Sequence, residues 1–190
     1  MKDLVNQMFM RWDCNRNLEI KVKVNDFEKY RDKVLDIKAK NFGVLIQIDT
    51  YFIVGKYRLK LREEGKQNYL VFYFRKNIKS SKESKYFIIY VNKILLVVVK
   101  KIFLVLFGEK IIVNKKRELF IYKNTRIHFD SVISLGNFIE LETVFKDGTK
   151  DNDVKDEHNF VITNLDLDNL EKVPVSYSDL ILGLNKNNFI

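Results

Sequence analysis

The chain has 190 residues, about one domain's length. Of these 46% are hydrophobic, including 15 Phe and 9 Tyr, which supplies a core and excludes global disorder. With 34 basic and 25 acidic residues the formal charge is +9, favouring an anionic partner: nucleic acid, an acidic membrane or a small polyphosphate. A single cysteine, Cys14, rules out an intrachain disulfide or a Cys-rich zinc site and fits an intracellular setting.

Met1–Arg16 reads as a leader without period, and Lys2, Asp3, Asn6 and Gln7 leave no apolar stretch for a secretory signal. Leu18–Val24 alternates apolar and charged residues, as a strand with two unlike faces does. A helix is predicted over Asp26–Lys40, capped by Asp26 and stopped at Asn41 and Gly43. Strands follow at Val44–Val54, Tyr57–Glu63, Asn68–Arg75 and Tyr86–Val91, with a polar loop at Lys76–Lys85. Lys93–Phe107 is predicted helical, between Asn92 as cap and Gly108 as stop. Its apolar run Ile94–Phe107 is shorter than the ~20 residues of a spanning helix, and is expected to be a buried element. Strands resume at Ile111–Lys115, Arg117–Tyr122, Arg126–Val132 and Phe138–Phe145. Then come a charged loop at Lys146–Glu157 and helices at Phe160–Leu170 and Ser178–Leu184.

Several strands repeat one pattern. Glu19, Lys21 and Lys23 share a face, as do Arg58, Lys60 and Arg62, then Arg126, His128 and Asp130, then Glu140 and Glu142. Alternation alone fits a half-exposed sheet with its charges in water. These faces, however, are almost wholly ionisable, and like charges two residues apart repel. A closed sheet with its polar faces inward accounts for them better. Its interior would need phosphate for the Arg and Lys side chains and a divalent metal for the carboxylates. No Walker-type glycine loop and no Gly-x-Gly-x-x-Gly is present, so side chains would have to hold the phosphates.

The segment Asn17-Leu18-Glu19-Ile20-Lys21 resembles the N-terminal signature of the CYTH superfamily, the triphosphate tunnel metalloenzymes. Asp49-Thr50-Tyr51-Phe52, Arg58-Leu59-Lys60-Leu61-Arg62-Glu63, Arg126-Ile127-His128-Phe129-Asp130 and Phe138-Ile139-Glu140-Leu141-Glu142 follow in the family's order. Ser176-Tyr177-Ser178-Asp179-Leu180 is similar to the end of the class IV adenylate cyclase-like branch. The resemblance implies an α+β fold: an antiparallel eight-stranded β-barrel forming a tunnel, with helices packed outside. It implies Mg²⁺ or Mn²⁺ on Glu19, Glu140 and Glu142 with Asp130 as helper. Lys21, Arg58, Lys60, Arg62, Arg75, Lys115, Arg117 and Arg126 would line the phosphate path, Lys21 and Arg58 acting in catalysis. Asn17 stands where the family's first Glu is usual, and offers a metal only a neutral carbonyl.

The expected reaction is that of class IV adenylate cyclase, ATP to cyclic AMP and pyrophosphate. The alternatives are hydrolysis of tripolyphosphate, thiamine triphosphate or an RNA 5′-triphosphate, and a non-catalytic polyphosphate- or nucleotide-binding module. One CYTH-like domain is expected over 17–184, between a leader at 1–16 and a tail at 185–190. The protein is expected to be cytoplasmic, a monomer or homodimer, with no membrane partner and no nucleic acid beyond an RNA 5′-triphosphate end. His128 and His158 read mainly as structural, Tyr51 as a core aromatic, and Lys79, Lys82 and Lys85 as a solvated loop.

Overall fold

The computed structural model describes residues 13–55, 57–65, 67–74 and 82–187. Among the described residues, eight strands and four helices occur in the order β1 (Asp13–Val24), α1 (Glu28–Asp36), β2 (Lys40–Phe52), β3 (Arg58–Glu64), β4 (Gln67–Phe74), β5 (Lys82–Val91), α2 (Lys93–Phe107), β6 (Glu109–Tyr122), β7 (Thr125–Val132), β8 (Gly136–Val144), α3 (Asp151–Asn164) and α4 (Tyr177–Asn187). All strand pairings are antiparallel. The hydrogen-bonded order is β1-β5-β4-β3-β2-β6-β7-β8, and β8 pairs in turn with β1. The seam is β1, whose residues 13–19 pair with β5 and residues 17–24 with β8.

Alternation decides what each face of this curled sheet carries. The outward residues Ile20, Val22, Val24, Ile127, Phe129, Ile139 and Leu141 are buried beneath Tyr30 and Val34 of α1 and Val161 and Ile162 of α3. Their charged neighbours therefore point into the barrel. The C-terminal segment is stitched on by the Val173 amide, which donates to the Lys21 carbonyl at 2.8 Å.

Several elements differ from their sequence-based expectation. Helix α1 stops at Asp36 instead of running to Lys40, because Lys38 takes φ 61° and Lys40 already belongs to β2. Asn41 and Gly43 do not end a helix but shape a bulge in β2, where the Asn41 side chain accepts from the Gly43 amide at 2.6 Å. The two strands expected within 111–122 are one strand, β6. The expected loop Lys146–Glu157 holds the first half of α3, whose Asp151 and Asp153 suit the positive end of the helix dipole. That helix ends at Asn164 instead of Leu170, with Asp166 at φ 52° beyond it. In the polar segment Lys76–Lys85, Lys82–Lys85 form the start of β5. The remainder, with Lys79, lies outside the described residues.

Helix α2 has the expected limits. The Asn92 side chain accepts from the Ile94 amide at 2.9 Å, and Gly108 at φ 71° ends the helix. It is not the buried element expected. Leu96, Phe103 and Leu104 pack on Phe52, Leu59, Leu61 and Leu70, while Ile94 and Val105 are 83% and 86% exposed and no residue of the helix is fully buried. A hydrophobic run longer than the face that packs has to leave its other side outward. No helix among the described residues is long and apolar enough to cross a membrane.

Candidate active site

Inward side chains of β1 to β8 enclose a cavity of about 410 Å³. Strand register sorts the charged ones into rows. Glu19 of β1 lies directly opposite Glu142 of β8, which lies opposite Arg126 of β7. One step along, Lys21 lies opposite Glu140, which lies opposite His128. Like charges directly opposed on neighbouring strands destabilise a sheet unless a counter-charge intervenes. Arg126 supplies part of it, 3.6 Å from Glu142, and Lys21 lies 3.3 Å from Glu140.

His128, Glu140 and Glu142 bring one ligand atom each to within 4.8 Å of one another. The His128 Nδ1 and the Asn17 Oδ1 are buried without a hydrogen-bond partner. Burial, with Arg117 beside it, pushes the His128 pKa down and keeps the imidazole neutral. Burial pushes the Glu140 carboxyl up, but Lys21, His128 and Arg117 outweigh it and hold the group well below the usual carboxylate range. Carboxylates, a neutral imidazole and a spare amide oxygen fit a divalent cation.

Two buried aspartates hold the basic rows by the same device. Asp49 of β2 accepts Lys60 Nζ at 2.8 Å and both Nε and Nη2 of Arg62 at 2.7 and 2.8 Å. Asp130 of β7 accepts Nε and Nη2 of Arg117, both at 2.6 Å, and Lys115 Nζ at 3.4 Å. Arg117 also donates to Glu140 at 2.6 Å, joining the basic row to the carboxylates. Burial, with a neighbouring arginine, lowers the Lys60 pKa to about 7 and that of Lys115 to about 8. For Asp49 the upward push of burial is overridden by Arg62 and Lys60, leaving it well below the ordinary value.

The structure thus gathers Glu19, Lys21, Lys60, Arg62, Lys115, Arg117, Arg126, Glu140 and Glu142 around one cavity. Asp130 lies outside that lining, fully buried, with its oxygens engaged by Arg117, Lys115 and the Tyr177 hydroxyl at 2.9 Å. Arg58 is also apart. It donates to Asp179 of α4 at 2.8 Å, and Asp179 in turn accepts from Ser176 Oγ at 2.7 Å. Arg75 falls outside the described residues. Sequence reasoning assigned no role to Asp49, Gln47 or Tyr177. Asp49 gains its role by register, as the partner of Arg62, which alternation within one strand cannot reveal. Tyr177 places its ring beneath Lys21, 4.1 Å from Nζ to the centroid. His158, expected in a loop, is instead buried in α3 with Nδ1 2.8 Å from Thr143 Oγ1.

Solved structures share this architecture. A Pyrococcus horikoshii OT3 protein matches at 21% identity and TM-score 0.72 over 86% of this chain and 98% of its own. A conserved hypothetical protein of Pyrococcus furiosus matches at 21% identity and TM-score 0.69, over 86% and 99%. A "putative adenylate cyclase" of Vibrio parahaemolyticus matches at 14% identity and TM-score 0.66, over 89% and 99%. At these identities the likeness concerns the fold. Among curated proteins, none matches the sequence significantly. The CYTH domain model matches residues 15–177, a span that runs from the third residue of β1 to the first residue of α4. The chain therefore belongs to the CYTH family, the triphosphate tunnel metalloenzymes.

Proposed function

We propose that this protein is a divalent-metal-dependent enzyme that binds a triphosphate inside the barrel and breaks one of its phosphoanhydride bonds. The carrying observation is the shared cavity: two Lys-x-Arg rows, Lys60/Arg62 and Lys115/Arg117, open onto the same space as His128, Glu140 and Glu142. Glu140, Glu142 and Glu19, with Asn17 and His128 beside them, would hold Mg²⁺ or Mn²⁺. When bound, the ion would supply positive charge to the phosphoryl oxygens. Asp130 is better placed to orient Arg117 than to ligate metal, and Arg58 to fasten α4 than to touch substrate.

The remaining work falls to the chain's own cations. Arg62 and Arg117, each gripped along one edge by an aspartate, keep Nη1 for phosphate oxygens. Lys60 and Lys115 place ammonium groups on the same side. Lys21 adds a further charge between Glu140 and the Tyr177 ring. Such fixed donors stabilise charge that develops on the departing phosphate without reorganising at the moment of reaction.

Within this reading the class IV adenylate cyclase reaction comes first, since the motif order and the Ser176–Leu180 segment resemble that branch. Hydrolysis comes second. It is favoured by the interior's cations, which address phosphates and do not by themselves select a ribose. Purified protein with Mg²⁺ or Mn²⁺ is offered ATP, tripolyphosphate and thiamine triphosphate. Cyclic AMP with pyrophosphate marks the cyclase and orthophosphate the hydrolase. Turnover of none would leave the non-catalytic binding module.

A further inference from the structure

The charged lining stops at two strands. On β4 the inward positions are Tyr69, Val71 and Tyr73, and on β5 they are Tyr86, Ile88 and Tyr90. Register pairs them across the strands as Tyr69 with Tyr90, Val71 with Ile88, and Tyr73 with Tyr86. One sector of the cavity is therefore an apolar floor between two tyrosine pairs, and it carries no group that is charged at neutral pH.

The two pairs are not equivalent. The Tyr73 hydroxyl bonds to Tyr51 and the Tyr86 hydroxyl to Arg126, which ties the inner pair to the charged sector. Tyr69 and Tyr90 contact each other edge-on, with ring centroids 5.1 Å apart, and Tyr90 is 47% exposed. Tyr69 lies opposite Arg62 of β3, and its hydroxyl donates to Gln67 at the start of the same strand. What this pair offers the cavity is aromatic surface.

An inorganic polyphosphate has no use for such a sector. It is hydrated charge throughout, and an apolar wall desolvates it without return. A planar heteroaromatic group gains from it by stacking and by leaving water. We infer that the β4–β5 wall is the subsite for the aromatic moiety of an organic triphosphate, with Tyr69 and Tyr90 as its specificity-determining residues. This rests on the triphosphate reading above and narrows it. The substrate is a nucleoside triphosphate or a similar heteroaromatic ester, and the triphosphate runs from the tyrosine wall toward Lys60, Arg62, Lys115 and Arg117.

The test is calorimetric binding to the full chain with Mg²⁺, using ATP, thiamine triphosphate and inorganic tripolyphosphate. At least one organic ligand should bind roughly ten-fold or more tightly than tripolyphosphate, the scale of one base stacked on an aromatic ring. Tyr69→Leu and Tyr90→Leu keep apolar volume and remove the ring. Each should weaken that organic ligand by roughly ten-fold and leave tripolyphosphate unchanged. Lys60→Ala should weaken all three. If tripolyphosphate binds as well as both organic ligands, or the tyrosine variants weaken all three alike, the wall is not a subsite and the triphosphate reading stands. If none of the three binds, the triphosphate reading fails and this inference fails with it.

Discussion

Asp49→Asn isolates the device that shapes the basic rows. Asp49 is 1% exposed and is the only acidic group bonded to Lys60 and Arg62 among the described residues. The amide keeps the shape but removes the charge, leaving two buried cations side by side. Lys60 can escape by releasing its proton, since burial and Arg62 already hold its pKa to about 7 and Asp49 is the main group opposing that shift. Arg62 has no such route. Breaking a buried pair on one side costs about 3–5 kcal/mol, and release of the Lys60 proton places Asp49→Asn near the lower end. Urea unfolding at neutral pH measures it. Tripolyphosphate brings negative charge to the same two side chains, so it should stabilise the variant more than the parent protein. A loss below about 1 kcal/mol, the level of an exposed ion pair, would refute the reasoning. So would equal stabilisation of both proteins by tripolyphosphate.

Three further outcomes follow from named groups. Burial and neighbouring arginines lower the Lys60 and Lys115 pKa values to about 7 and about 8, so their charge is present below those values and lost as pH rises through them. Tripolyphosphate affinity should therefore fall between neutral pH and about pH 9, with proton uptake on binding visible as a buffer-dependent calorimetric enthalpy. Flat affinity without uptake would contradict the assignment. The buried His158 has its pKa lowered from 6.5 to about 4, so the unfolded chain takes the proton first. Stability should drop by about 3 kcal/mol as pH falls through that window, and His158→Gln should flatten the drop in urea midpoints. Glu142→Gln should weaken Mn²⁺ binding by roughly a hundred-fold or more, given that even outer partners of a metal site cost 10–100-fold. Electron paramagnetic resonance of free Mn²⁺ would read this, and unchanged affinity would remove Glu142 from the ligand set.

What could be read in advance was whatever lies within one strand. Charges at alternating positions in Arg58–Arg62, Arg126–Asp130 and Glu140–Glu142 reveal a polar face whatever the neighbours are. What could not be read is set by pairing. Asp49 opens a segment that resembles the family's, but only the register opposite Arg62 makes it the anchor of a basic row. Asp130 shares a face with Arg126 and His128, yet its depth and the Tyr177 hydroxyl take it out of the lining. One histidine among charges carries no spacing signal; the closeness of His128 to Glu140 and Glu142 comes from the β7–β8 register. The first half of helix α3 is hidden for another reason. Its acidic first turn looks like loop composition, while the buried Val154, His158, Val161 and Ile162 keep helical spacing across the expected boundary.

The interior cations are held by Asp49 and Asp130 along one edge only. An arginine side chain carries five N–H donors in a rigid plane. In both Arg62 and Arg117 the aspartate takes the Nε–Nη2 edge, and neither Nη1 has a hydrogen bond among the described residues. The aspartate thus fixes the plane of each guanidinium while leaving its far edge for a phosphate oxygen. Removing the aspartate would take a competing negative charge out of the cavity and still harm catalysis, because the freed guanidinium would have to be oriented at each turnover. Asp49→Asn should accordingly bind tripolyphosphate no more weakly than the parent and turn over any accepted triphosphate more slowly. A simple charge-attraction account predicts faster turnover with tighter binding. The separation of binding from turnover in that one variant distinguishes an oriented site from a merely basic one.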